Sequence, residues 1–78
     1  MLPKEIMQVE NSALTLWTEI VELVAVIDVD FKKNVAGNSA AGVRARKGLR
    51  TLKAKAAALT KLTVEADKAR RAEKNEAE

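Results

Sequence analysis

The sequence predicts an all-α protein, a helical hairpin with a long basic second helix that assembles as a dimeric four-helix bundle or coiled coil. Three observations carry this expectation. Apolar residues recur at helical spacing through the first half, one glycine-bearing turn interrupts the chain, and the remainder is rich in Ala, Lys, Arg and Leu, all good helix formers. A chain of 78 residues that folds alone buries only about 60% of the surface it exposes when unfolded, which excludes a large private core.

Residues 1–10 read as a lead-in, with Pro3 and scattered apolar positions. A first, apolar and acidic helix is expected over residues 11–36, capped by Asn11 or Ser12, because Leu14, Trp17, Ile20, Val24, Ile27 and Phe31 follow one another at steps of three or four. The β-branched run from Val24 to Phe31 also fits a half-buried strand, but no second strand candidate exists to pair with it, so helix is the better reading. In Asn34-Val35-Ala36-Gly37-Asn38-Ser39 the glycine suits a left-handed helix end, and Asn38 or Ser39 suits the next cap, giving a turn at 37–39. The second helix then runs over 39–75 without proline, leaving 76–78 as a frayed tail.

On a helical wheel, Ala41, Ala45, Leu49, Leu52, Ala56, Leu59 and Thr63 share one sector of this second helix, the expected packing face. The first helix carries more apolar surface than one narrow partner covers. A homodimer or higher homo-oligomer is therefore expected, held by Leu14, Trp17, Ile20, Val24, Ile27, Phe31, Leu49, Leu52 and Leu59. The second helix is longer than the first, so its end from Val64 onward is expected to project past the bundle.

Composition narrows the chemistry. The chain has no Cys and no His, which removes disulfides, thiolate nucleophiles, ordinary zinc sites and the usual general base near neutral pH. Glu19 and Glu22 share a helix side without a third ligand, Asp28 and Asp30 diverge by about 200°, and Gly37, Gly42 and Gly48 match no phosphate-binding loop. The expectation is no enzyme, no cofactor, no metal and no small-molecule substrate. The longest uncharged stretch, Asn34 to Val43, is ten residues, short of the roughly 20 a membrane span needs. No signal peptide is visible either, so the expected location is the cytoplasm or nucleoid.

Charge is segregated. Residues 1–36 carry three Lys against six acids, while residues 37–78 carry eleven Lys and Arg against five acids. Seven of those cations, Arg44, Arg46, Lys47, Arg50, Lys53, Lys55 and Lys61, follow one another with no acid between them. Such a segment suits a polyanion or an acidic partner.

Phe31-Lys32-Lys33, then Gly37-Asn38-Ser39-Ala40-Ala41-Gly42-Val43-Arg44-Ala45-Arg46-Lys47, continued by Leu49, Leu52, Lys53, Leu59, Lys61 and Val64-Glu65-Ala66, resembles the bacterial and phage linker-histone-like family that includes the chlamydial histone-like nucleoid proteins. The likeness runs from Phe31 to roughly Lys68. It implies a small helical protein associated with double-stranded DNA and nucleoid compaction. Cations at helical spacing suffice to neutralise phosphates, and the basic run offers no Asn or Gln to read adenine, so sequence-tolerant backbone binding through those seven cations is the expected function. The alternative is a non-enzymatic adaptor or structural subunit, in a phage particle for example, that sets the apolar helix and the basic helix against an acidic protein.

Overall fold

The computed structural model describes residues 3–77, with side-chain surroundings over residues 4–72. Two helices, α1 (Pro3–Val35) and α2 (Ser39–Ala77), lie side by side as an antiparallel hairpin of 61 × 14 × 12 Å. No strand occurs among the described residues, and Val24–Phe31 is helical. Glu78 and the first two residues of the expected lead-in lie outside the described residues.

The turn is built by backbone hydrogen bonds that the sequence specifies locally. Gly37 adopts φ +110°, a conformation open to glycine without Cβ strain. Its N–H donates to the Asn34 carbonyl at 2.9 Å and the Asn38 N–H donates to the Lys33 carbonyl at 3.0 Å, the paired bonds of a Schellman motif. Asn38 then caps α2, its Oδ1 accepting from the Ala41 N–H at 2.9 Å. Lys32 and Lys33 sit in the last turn of α1, where the helix dipole favours positive charge.

Buried and half-buried positions reveal the seam. Apart from Glu10, Gly42 and Glu65, which flank it, they are Ile6, Val9, Ala13, Leu16, Ile20, Leu23, Ile27, Asp30 and Asn34 in α1, and Ala41, Ala45, Gly48, Leu52, Lys55, Leu59, Leu62, Ala66 and Ala69 in α2. Steps of three and four alternate strictly along both, which is the repeat of a left-handed coiled coil. Glycine brings the two backbones together: a Cβ on Gly48 would lie 2.6 Å from Ile27 Cγ1, and one on Gly42 would lie 2.8 Å from Asn34 Cγ.

Three expectations are corrected by this geometry. First, α1 begins at Pro3 rather than near residue 11. Proline is favoured in a first helical turn because its missing N–H has no partner to lose there, and Ile6, only 6% exposed, anchors that turn. Second, α2 does not project from Val64 onward, because the extended α1 gives Ala66 and Ala69 a surface on which to bury. Third, the packing face of α2 is rotated from the expected one. Leu49, Ala56 and Thr63 are exposed, while Gly48, Lys55 and Leu62 take the seam positions. The wheel weighted residues by hydrophobicity, whereas close helix approach selects small side chains and tolerates a lysine stem that snorkels outward.

Gly48→Val should therefore lower the unfolding free energy by about 1–3 kcal/mol, since overpacking against Ile27 outweighs the small gain in helix propensity. Asn38→Ala should cost about 1 kcal/mol through loss of the cap. Urea denaturation at one fixed protein concentration checks both; an unchanged midpoint for Gly48→Val would mean that Ile27 does not set the helix separation.

Candidate nucleic-acid interface

The side of α2 turned away from the seam carries Arg46, Arg50, Lys53, Lys61, Lys68 and Arg71, all exposed, with Lys47 beside them. They fall at steps of three and four when Ala57 and Val64 are included, so they form one row along the helix. From Arg46 to Arg71 it runs about 38 Å at 1.5 Å per residue, close to the roughly 34 Å of one B-DNA turn. Among the described residues these seven cations make no ion pair within 4 Å.

Two of the cations expected in the site are engaged differently. Arg44 Nε donates to Asp30 Oδ1 at 3.1 Å, and Lys55 Nζ donates to Glu19 Oε2 at 3.2 Å. Both pairs tie the basic helix to the acidic one along one flank of the hairpin. Arg70 plays the same part on the other flank, donating to Asp67 and, at 2.9 Å, to Glu10. Those hydrogen bonds, to Asp67 first and Glu10 second, hold its guanidinium pKa above the ordinary arginine value. Asp28 accepts from Lys32 at 3.0 Å within α1.

Sequence reasoning stopped the basic surface at Lys61, where Glu65 and Asp67 interrupt the run of cations. The missed members, Lys68 and Arg71, continue the spacing of Arg46, Arg50, Lys53 and Lys61. That periodicity was the signal available. Glu65 is half-buried and Asp67 binds Arg70, so neither breaks the outward row.

The residues expected at an oligomer interface divide into two groups. Ile20 and Ile27 are buried and Leu52 and Leu59 half-buried in the seam between α1 and α2. Leu14, Trp17, Val24, Phe31 and Leu49 are exposed on the hairpin surface. Val24, Phe31 and Leu49 border one shallow cleft between the helices, and Leu14 and Thr63 border a second.

With this geometry in place, comparison with known families is decisive. The family model described as histone H1-like protein Hc1 matches residues 15–69, well over half of the chain. The chain belongs to the histone H1-like Hc1 family. Comparison with curated proteins and with solved structures gives no match. The Hc1 match covers most of the apolar helix, the Gly37 turn and most of the cation row, including Lys68. The family is a histone-like, DNA-binding one, in keeping with the resemblance carried by residues 31–68. Among the described residues of this Hc1-family chain, no three carboxylates gather into a metal-binding cluster and no helix is long and apolar enough to cross a membrane.

The Glu10–Arg70 pair is solvated, Glu19 is exposed beside a half-buried Lys55, and Asp30 is mostly covered beside an exposed Arg44; exposed ion pairs contribute about 0–1 kcal/mol. Replacing Glu19 with Gln, which releases Lys55, should accordingly leave the thermal midpoint within about 6 °C of wild type. A larger drop in a circular-dichroism melt would mean that the pair, rather than the seam, fixes helix alignment.

Proposed function

We propose that this protein is a non-enzymatic nucleoid protein that binds double-stranded DNA without sequence preference, setting the outward row of α2 against the phosphate backbone. The observation that carries the reading is the exposed row itself, unpaired among the described residues: Arg46, Lys47, Arg50, Lys53, Lys61, Lys68 and Arg71 on one face of a helix that packs by its other face. Affinity comes from counterion release as each cation meets a phosphate. Arg44 and Lys55 belong to the site in a second rank, because phosphate must compete with Asp30 and Glu19 for them.

The row offers little for reading bases. It carries no aromatic to stack on an unpaired base and no Asn or Gln to address adenine edges. Lysine and arginine contacts to phosphate position a protein without conveying sequence, so one duplex should serve as well as another. The reading includes two copies of the chain acting together, which doubles the cation rows presented.

Fluorescence anisotropy with a labelled 30-base-pair duplex tests this. Binding should weaken with salt along a log–log slope of roughly −4 to −7, and an unrelated duplex should reproduce both affinity and slope. Arg46→Glu combined with Arg50→Glu should weaken binding at least tenfold and flatten the slope by about 2 while helicity is retained. Asp30→Asn, which frees Arg44, should tighten binding two- to fivefold at low salt. Absence of binding at 50 mM salt would remove DNA as the partner of this surface.

A further inference from the structure

The hairpin leaves one long face uncovered. Trp17 is 55% and Phe31 52% exposed, so both aromatic residues of the chain stand largely in solvent beside Leu14, Val21 and Val24. The chain exposes 5817 Å², whereas a compact monomer of 8.5 kDa exposes about 4,700 Å². The excess, roughly 1,100 Å², is more than the about 800 Å² that each partner buries in a standard interface.

We infer that a second copy of this chain covers this face with its own equivalent face, related by a two-fold axis parallel to the helices, so that α1 of each copy lies on α2 of the other. Two hairpins stacked face to face have only two such symmetric arrangements. An axis running across the helices sets α1 on α1 and α2 on α2. An axis running along them crosses the pair.

Charge favours the crossed arrangement. α1 carries three cations against six acids, and α2 carries eleven cations against four acids. Crossing sets opposite net charges together, whereas the alternative stacks two basic helices on each other. Side-chain size favours it as well. On this face α1 presents Leu14, Trp17, Val21, Val24 and Phe31, while α2 presents Leu49, Ala56 and Thr63, and a mostly large set interdigitates with a mostly small one better than with itself.

The axis also fixes the register, because it leaves every residue at its own height. Ile27 lies level with Gly48 and Glu19 level with Lys55. Ala56 of one copy therefore falls between the partner's Trp17 and Val21 in height, and Asp28 falls level with the partner's Arg46. The two outward cation rows end on opposite sides of the four-helix bundle. Taken with the DNA-binding reading, on which this last step rests, the dimer holds one duplex on each side.

Cross-linking tests the arrangement directly, since the chain has no Cys and introduced thiols are the only ones present. An equimolar mixture of Val21→Cys and Ala56→Cys chains, oxidised with copper phenanthroline, should yield a disulfide-linked pair, and neither variant alone should. Self-linking of Val21→Cys would overturn the crossed pairing. Light scattering should give twice the chain mass for wild type and half that value for Trp17→Glu or Val24→Glu, with helicity retained because both positions lie outside the hairpin seam. Wild type at single-chain mass would overturn the interface. Beads carrying one duplex should retain a second, labelled duplex with wild type and at least tenfold less with Trp17→Glu. A dimer that binds DNA yet retains no second duplex would overturn the opposed cation rows. A dimer that cross-links as expected but binds no DNA would support the pairing and sink only the DNA reading.

Discussion

The close approach of two helix backbones along a seam of small residues governs everything else in this molecule. Gly48 against Ile27 and Gly42 against Asn34 leave no room for a Cβ, and Ala41, Ala45, Ala66 and Ala69 keep the separation small at both ends of α2. Small side chains permit that approach, but they contribute little apolar area of their own. At about 25 cal/mol per Å², a seam with alanine and glycine towards both ends of α2 gains less than one built from leucine throughout. The larger apolar residues of α1 are thereby displaced to the outside. A thin private core and a wide exposed apolar face are two consequences of the same geometry.

That geometry also organises the charges. Because the seam occupies one side of α2, its cations divide between the flanks, where Arg44, Lys55 and Arg70 meet acids of α1, and the far side, where α1 cannot reach. The acids of α1 thus neutralise the basic helix selectively. They align the hairpin through weak, partly solvated pairs and leave the outward row available to a polyanion. A histone-like function needs no pocket, no cofactor and no catalytic group; it needs a straight array of cations held on a surface that does not collapse onto its own counter-charges, and the hairpin provides that separation.

Much of the architecture was legible in the sequence because it is encoded locally. Gly37 ends one helix and Asn38 begins the next through bonds among residues a few positions apart. The family likeness lay in the same turn and the basic steps that follow it. Apart from Lys68 and Arg71, whose spacing is visible in one helix, the misread features are non-local. Pro3 to Glu10 lack a strong helical pattern of their own, and they are ordered by the far end of α2, some 60 residues away, through Ile6, Ala66, Ala69 and the Glu10–Arg70 pair. The wheel for α2 selected Leu49 and Ala56 over Gly48 and Lys55 because hydrophobicity, unlike backbone proximity, can be read from one helix at a time.

By itself, then, the sequence determined that this protein is two helices with opposite net charge joined at Gly37, since helix propensity, capping and charge count are properties of the chain alone. Only the tertiary structure decided which of two adjacent apolar stripes on α1 becomes the seam. That choice depends on the size of the residues across the gap, where Gly48 admits Ile27, while Trp17, Val24 and Phe31 stay outside. It likewise decided which cations are held by acids and which face outward, because the distance from each cation to a carboxylate is set by how the helices pack.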